Sequence, residues 1–248
     1  AARLHPGASV LLRIDDLDAD RKRPEYVQDV FDTLNWLGLD WDIGPRSADD
    51  FEQNWSQQVR LPTYFALLEE LRNSGYLFAC DKSRRQLARY NEKYPAEFRE
   101  QGLNLDSPDV AWRVKTPENA SFSPDFIVRR RDGVPAYQVA SLVDDLQFEI
   151  THIIRGEDLA DSTNAQIFLA NCLNRSNFST VRFLHHPLLL DEQGGKLSKS
   201  AGATALKMLH STGQSPEDIF RLVAALLQIS PSRAVQSAND LLRFFEKN

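Results

Sequence analysis

Apolar residues come in two alternating kinds along most of this chain: short runs that read as buried strands, and three- and four-residue spacings that read as amphipathic helices. Val10, Leu11, Leu12 and Ile14 form the first run and predict a buried parallel strand, with Asp15, Asp16, Asp18 and Asp20 gathered at its end. Pro24 suits a first helical turn, and Val27, Val30, Phe31, Leu34 and Leu37 carry a helix forward until Gly38 stops it. A second helix is predicted from about Asn54 to Asn73, kinked or restarted at Pro62 and ended by Gly75.

Tyr76 to Cys80 reads as a strand, and Ser83 with Gln86 as a capping box opening a helix toward Tyr94. Residues 95 to 124 are rich in Pro, Asn, Ser and Asp, contain one alternating strand (Val110 to Lys115), and look like a small insertion. Phe126 to Arg131 with the Asp132-Gly133 turn predicts a hairpin arm, and Tyr137 to Leu146 a helix turning Val139, Ala140 and Val143 inward. Ile150 to Arg155 is expected to be a buried strand, Ser162 to cap a helix through Leu173, and Val181 to Leu184 to be another strand. After the loop from Asp191 to Ser200 the signals are helical: Thr204 to His210, a helix opened by Ser215-Pro216-Glu217-Asp218, and Ser237 to Phe245. Alternating strands and helices followed by a helical appendix predict a parallel α/β sheet with an inserted subdomain.

At 248 residues the chain can bury a sizeable interior, and 42% hydrophobic with 26% charged residues is ordinary for a globular protein. No apolar run approaches the roughly 20 residues of a membrane helix, and the opening AARLHPGASV lacks a signal-peptide layout, so a cytoplasmic location and no membrane partner are expected. A net charge of -6 argues against nonspecific coating of nucleic acid, so such a partner needs local basic patches. Arg21-Lys22-Arg23, Arg84-Arg85 and Arg129-Arg130-Arg131 are candidates, and each reads equally as a solvated face. Cys80 and Cys172 stand far apart, without C-x-x-C spacing, and read as buried thiols.

The sharpest local feature is Gly194-Gly195-Lys196-Leu197-Ser198-Lys199-Ser200, a glycine-led loop whose two ammonium groups can converge on a polyphosphate. Alone, it reads equally as a polar surface turn. Its setting changes that. The loop resembles the KMSKS signature of class I aminoacyl-tRNA synthetases, and Arg13-Ile14-Asp15-Asp16-Leu17-Asp18 resembles the R-I-E-D-T-D segment of their glutamyl and glutaminyl branch. Two further blocks agree with that branch: Leu34 to Pro45, with Trp36-Leu37-Gly38-Leu39 and Trp41-Asp42-x-Gly44-Pro45, and Tyr137 through Val143-Asp144-Asp145 to Ile154-Arg155-Gly156-Glu157-Asp158-Leu159. The similarity is greatest to the short glutamyl-Q-type members that act on tRNA(Asp).

The resemblance implies the Rossmann-like parallel sheet of class I synthetases with a small inserted α+β domain. The expected organisation is 1–75 for the first part of the catalytic domain, 76–130 for the inserted acceptor-end-binding subdomain, 131–200 for its second half, and 201–248 for a helical stem-contact region. It also implies ATP-dependent activation of L-glutamate followed by transfer to tRNA, with tRNA(Asp) as acceptor and tRNA(Glu) as the alternative. Lys199, Lys196 and Ser198 match the phosphate loop, with Glu157 on the ATP side. Asp15 stands where the family acid meets the substrate ammonium, one methylene shorter than the usual glutamate, and Tyr137 and Arg155 match the glutamate-contacting tyrosine and arginine. The other readings of these residues remain open: Tyr137 as a core aromatic, Arg155 as a structural arginine bridging Glu157 or Asp158, and Asp144 and Asp145 as structural carboxylates.

Magnesium is expected to arrive with ATP. Zinc is not expected: the family's C-x-C and Y-x-x-x-C ligands fall here on Phe78, Cys80, Tyr94 and Phe98, and packing between the phenylalanines is expected to replace the metal. No H-x-G-H precedes Val10, so the chain is expected to be incomplete for catalysis through loss of an upstream segment. A monomer is expected. Two other readings remain, the catalytic core of a full-length glutamyl-tRNA synthetase and a nonenzymatic paralogue that binds ATP or tRNA.

Overall fold

A computed structural model describes residues 2–90, 94–118, 120, 122, 125–188, 206–230 and 235–247. In chain order the helices are α1 (Pro24–Trp36), α2 (Ala48–Asp50), α3 (Gln57–Asn73), α4 (Arg84–Leu87), α5 (Tyr137–Gln147), α6 (Ala160–Cys172), α7 (Leu206–Ser211), α8 (Pro216–Leu226) and α9 (Ala238–Lys247). The strands are β1 (Leu77–Cys80), β2 (Ala111–Val114), β3 (Ile127–Arg129), β4 (His152–Gly156) and β5 (Arg182–His186). Contacts divide the chain into two compact units, one of Ala1–Val59 with Asp191–Asn248, the other of Arg60–Leu190.

In the first unit, α1 begins at Pro24 and stops where Gly38 adopts φ +63, as the apolar spacing requires. Val27 and Phe31 of α1 are buried with Phe51, and Leu12, Ile14, Trp41, Ala48 and Trp55 pack against them. The run Val10 to Ile14 is not a strand. It makes one parallel bridge, Leu11 to Ile43, with Asp42 N donating to Val10 O at 2.8 Å and Leu12 N to Ile43 O at 2.9 Å. An apolar run becomes a ladder only where a neighbouring backbone offers a row of partners, and here residues 42–43 offer just these.

Gly44 follows at φ +122, and a Cβ there would stand 2.5 Å from Leu12 O, so the crossing of the two segments requires glycine. Trp41 Nε1 donates to Pro45 O at 2.9 Å, while Arg46 donates to Trp41 O and Asp42 O, which closes the Trp41-to-Pro45 block into one turn. A second cluster holds Phe220, Ala224, Ile229 and Val235, packed by Leu37, Leu39, Ala238, Leu241 and Phe244. Helix α8 opens at Ser215-Pro216 as expected, with a capping box between Ser215 and Asp218.

Helix α3 starts at Gln57, after a wide turn at Phe51–Trp55, and runs on through Pro62 without restarting. In the second unit its Tyr64, Leu68 and Leu71 are fully buried, as are Val139, Ala140 and Leu142 of α5 and Leu169 of α6. Strands β1, β2 and β3 form an antiparallel sheet within residues 77–129, pairing Leu77 with Val114 and Trp112 with Arg129. Strands β4 and β5 pair in parallel, Arg155 opposite His185.

Other expectations need correction. β4 is not buried throughout: Arg155 is, whereas Ile154 is 60% exposed. Ser162 does not cap α6 but lies inside it, since a 3-10 turn over Glu157–Leu159 brings the chain into helical geometry earlier. The helix after Ser83 keeps its capping box, with Ser83 N donating to Gln86 Oε1 at 2.8 Å, but α4 gives way to a 3-10 turn at Ala88–Tyr90.

Within residues 76–130, the expected insertion, Tyr94 contacts the rings of both Phe78 and Phe98, and its hydroxyl donates to Cys80 Sγ at 2.9 Å. Phe78 and Phe98 are thus linked through the ring of Tyr94. Within the basic runs Lys22 reaches Asp16 and Glu52, Arg130 pairs with Asp132 at the surface, and the exposed Arg131 donates to Asp81 O.

Candidate active site

The site is clearest where β4 delivers Arg155 beneath the start of α5 and along α6. Arg155 is 8% exposed. A guanidinium has five N–H donors, and their partners can be followed one by one. Nε donates to Thr163 Oγ1 at 3.1 Å; Nη2 donates to the same oxygen and to Gln166 Oε1 at 3.0 Å. Nη1 stands 3.5 Å from the Tyr137 hydroxyl. The ring of Phe183 lies beneath the cation, 5.0 Å away. Neither Glu157 nor Asp158 pairs with this arginine.

Among the described residues every oxygen that Arg155 meets is therefore neutral, and one Nη1 hydrogen has no protein partner. A buried cation whose partners among the described residues are all neutral is expensive. Since Thr163 and Gln166 occupy the Nε and Nη2 edge, the remaining donor is on the Tyr137 side. Tyr137 is the first residue of α5 and half-buried.

Thr163 has its own constraint. Both lone pairs of Oγ1 are taken by Arg155, so its proton is given away, and His185 Nε2 at 2.8 Å is a nearer acceptor than Leu159 O at 3.3 Å. Pairing β4 with β5 in parallel puts His185 directly opposite Arg155. Thr163, Gln166 and His185 were not singled out by sequence reasoning. The signal available for the first two was a threonine and a glutamine three apart on a helix face that also carries Ala165 and Leu169 inward, polar groups where a core stripe is due.

Glu157 is exposed at the end of β4 and accepts from Leu188 N at 3.3 Å. Asp144, fully buried, is a structural carboxylate: Arg60 grips it through Nε at 2.8 Å and Nη2 at 3.0 Å, and Tyr64 donates to it at 2.7 Å. Burial pushes the Tyr64 hydroxyl pKa upward, and the neighbouring Asp144 charge adds to the shift.

In the first unit Asp15 sits at the end of the Val10-to-Ile14 segment. Arg13 Nε donates to it at 2.8 Å and Gln57 Nε2 approaches at 3.4 Å. Its neighbour Asp16 is buried, accepting from Ser56 Oγ at 2.6 Å and Gln57 N at 2.7 Å, which anchors the acidic segment to the start of α3. The structure thus brings Tyr137 and Arg155 together in one unit and places Asp15 in the other. Lys196, Ser198 and Lys199 lie outside the described residues. Among the described residues no three His, Cys, Asp or Glu side chains are grouped to hold a metal, and no helix is long and apolar enough to cross a membrane.

The family of tRNA synthetases class I (E and Q), catalytic domain, matches the chain over residues 1–109 and 100–245. The chain belongs to that family. This E/Q synthetase chain is 38% identical to a glutamyl-Q tRNA(Asp) synthetase of Prochlorococcus marinus (strain MIT 9313), over 99% of its own length and 79% of the relative's. It is 30% identical to a glutamate–tRNA ligase of Coprothermobacter proteolyticus, over 97% of its length and 56% of the ligase. The crystal structure of a glutamate-tRNA synthetase from Elizabethkingia anophelis superimposes with a TM-score of 0.66 at 22% identity, covering 89% of this chain and 55% of that one. That likeness supports the mixed α/β fold of the E/Q synthetases, with its parallel strand pair and helices.

Proposed function

We propose that this E/Q synthetase activates L-glutamate with ATP and passes the glutamyl group to tRNA, in the manner of glutamyl-Q tRNA(Asp) synthetases. The observation that carries the reading is Arg155, a buried cation with neutral partners beside the Tyr137 hydroxyl, in a chain of this family. In the first step a glutamate carboxylate oxygen attacks the α-phosphorus of ATP, the bond to the bridging oxygen breaks, and pyrophosphate leaves. In the second a ribose or ribose-like hydroxyl of the tRNA takes the acyl group and AMP leaves.

Arg155 and Tyr137 hold a glutamate carboxylate, and Asp15 holds the ammonium, which must compete with Arg13 for that acid. Lys199 and Lys196 stabilise charge on the phosphates, Ser198 shapes their loop, and Glu157 lies on the nucleotide side. Magnesium enters with ATP as part of the substrate and neutralises phosphate charge. The stretch 76–130 is the inserted acceptor-end-binding subdomain and 201–248 the stem-contact region. We place the protein in the cytoplasm as a monomer. Identity of 36–38% to glutamyl-Q relatives against 30–34% to glutamate–tRNA ligases favours tRNA(Asp) over tRNA(Glu).

The test is glutamate-dependent exchange of labelled pyrophosphate into ATP by the full-length protein, followed by charging of tRNA(Asp) and tRNA(Glu) side by side. Exchange with glutamate and charging of tRNA(Asp) are expected. No exchange, under conditions where a control synthetase works, refutes the reading and leaves a nonenzymatic ATP- or tRNA-binding paralogue.

A further inference from the structure

Gln166 is fully buried, and its amide is divided: Oε1 accepts from Arg155 Nη2 at 3.0 Å, while Nε2 is buried without a hydrogen-bond partner. Leaving a buried amide N–H unsatisfied is costly, and a methionine or leucine in the same volume would avoid that cost. The orientation is fixed nonetheless, because turning the amide over would set its NH2 against the guanidinium, donor against donor. The one contact that requires a glutamine here is therefore the contact to Arg155.

A glutamate at this position would also accept from Nη2, and more strongly. It would cancel the charge that an incoming carboxylate needs. A neutral acceptor holds the guanidinium without neutralising it, and the same holds for Thr163 on the Nε side.

Resting on the reading of Arg155 as the carboxylate receptor, we propose that Gln166 is a positioning residue for glutamate recognition. Together with Thr163 it occupies the Nε and Nη2 edge of Arg155, turns Nη1 toward the ligand at Tyr137, and by its neutrality reserves the positive charge for the substrate.

The test uses the full-length protein and three variants, Gln166→Glu, Gln166→Met and Arg155→Met, with KM for glutamate and for ATP read from pyrophosphate exchange and Tm recorded for each. Gln166→Glu is expected to raise the glutamate KM by about tenfold or more while the ATP KM stays put, since a charged partner at Nη2 competes directly with the ligand. Gln166→Met, which loosens the guanidinium without neutralising it, is expected to raise the glutamate KM by a smaller factor with Tm held or increased. A wild-type glutamate KM in both Gln166 variants, with Arg155→Met impaired, overturns the positioning role alone. Equal rises in both KM values accompanied by a lower Tm assign Gln166 to packing and overturn it too. An Arg155→Met protein with an unchanged glutamate KM removes the underlying reading as well.

Discussion

Arg60 and Arg155 are arginines of the same unit, 7% and 8% exposed, each lying over an aromatic ring and each bonded to a helix nearby. Arg60 has a carboxylate: Asp144 accepts from two of its nitrogens, and Tyr64 completes the corner. Burial by itself would lower the Arg60 pKa, but the hydrogen bonds and charge of Asp144 raise it overall. Arg155 has a hydroxyl, an amide and a phenol, all neutral. The difference separates two uses of one side chain: a cation neutralised within the fold fastens α3 to α5, and a cation with only neutral partners among the described residues is the one proposed above to receive an anion.

The largest effects should come from exchanging the two losses. Arg155→Ala is expected to raise the glutamate KM by roughly 100-fold, the scale of a charge-assisted hydrogen bond pair, with the ATP KM nearly unchanged and Tm held or increased. Arg60→Ala is expected to do the reverse, costing roughly 3–5 kcal/mol of stability because Asp144 is left buried and unpaired, with little change in the glutamate KM of the folded fraction. Denaturant titration alongside pyrophosphate exchange reads both. If the two variants show the same pattern, the distinction between them is wrong.

A smaller effect sharpens the comparison through pH. The folded-state pKa of Tyr64 lies above its ordinary 10.0, raised by burial and then by Asp144. A raised pKa means the stabilisation is fully present below about 10 and is lost as pH rises through the folded value. Unfolding followed from pH 9 to 11 should therefore show stability falling with pH, and Tyr64→Phe should flatten part of that slope. An unaltered slope would mean that the folded state does not raise the Tyr64 pKa.

Half of this comparison was legible in the sequence. Arg155 could be singled out because its neighbours, Ile154 to Leu159, resemble a family block. The partners could not be read: Asp144 meets an arginine 84 positions away, and the neutral partners of Arg155 among the described residues become visible only once α6 lies along β4. Local chemistry was legible where its partners are close in sequence, as at the Ser215 and Ser83 caps and the Pro24-to-Gly38 helix.

It failed where a long-range partner decides. Val10 to Ile14 has the composition of a strand but, among the described residues, pairs with the short stretch at Asp42 and Ile43 alone. Ser162 has the chemistry of a cap but lies inside α6, because the turn at Glu157–Leu159 had already begun the helix.

Ligand-induced stabilisation tests the separate roles of the two arginines most directly. With L-glutamate added to the full-length protein, Tm should rise with concentration in the wild type, since a ligand that binds only the folded state stabilises it by mass action. Arg155→Met should start at least as stable as wild type and show no rise. A glutamate-dependent rise of wild-type size in Arg155→Met would contradict the account.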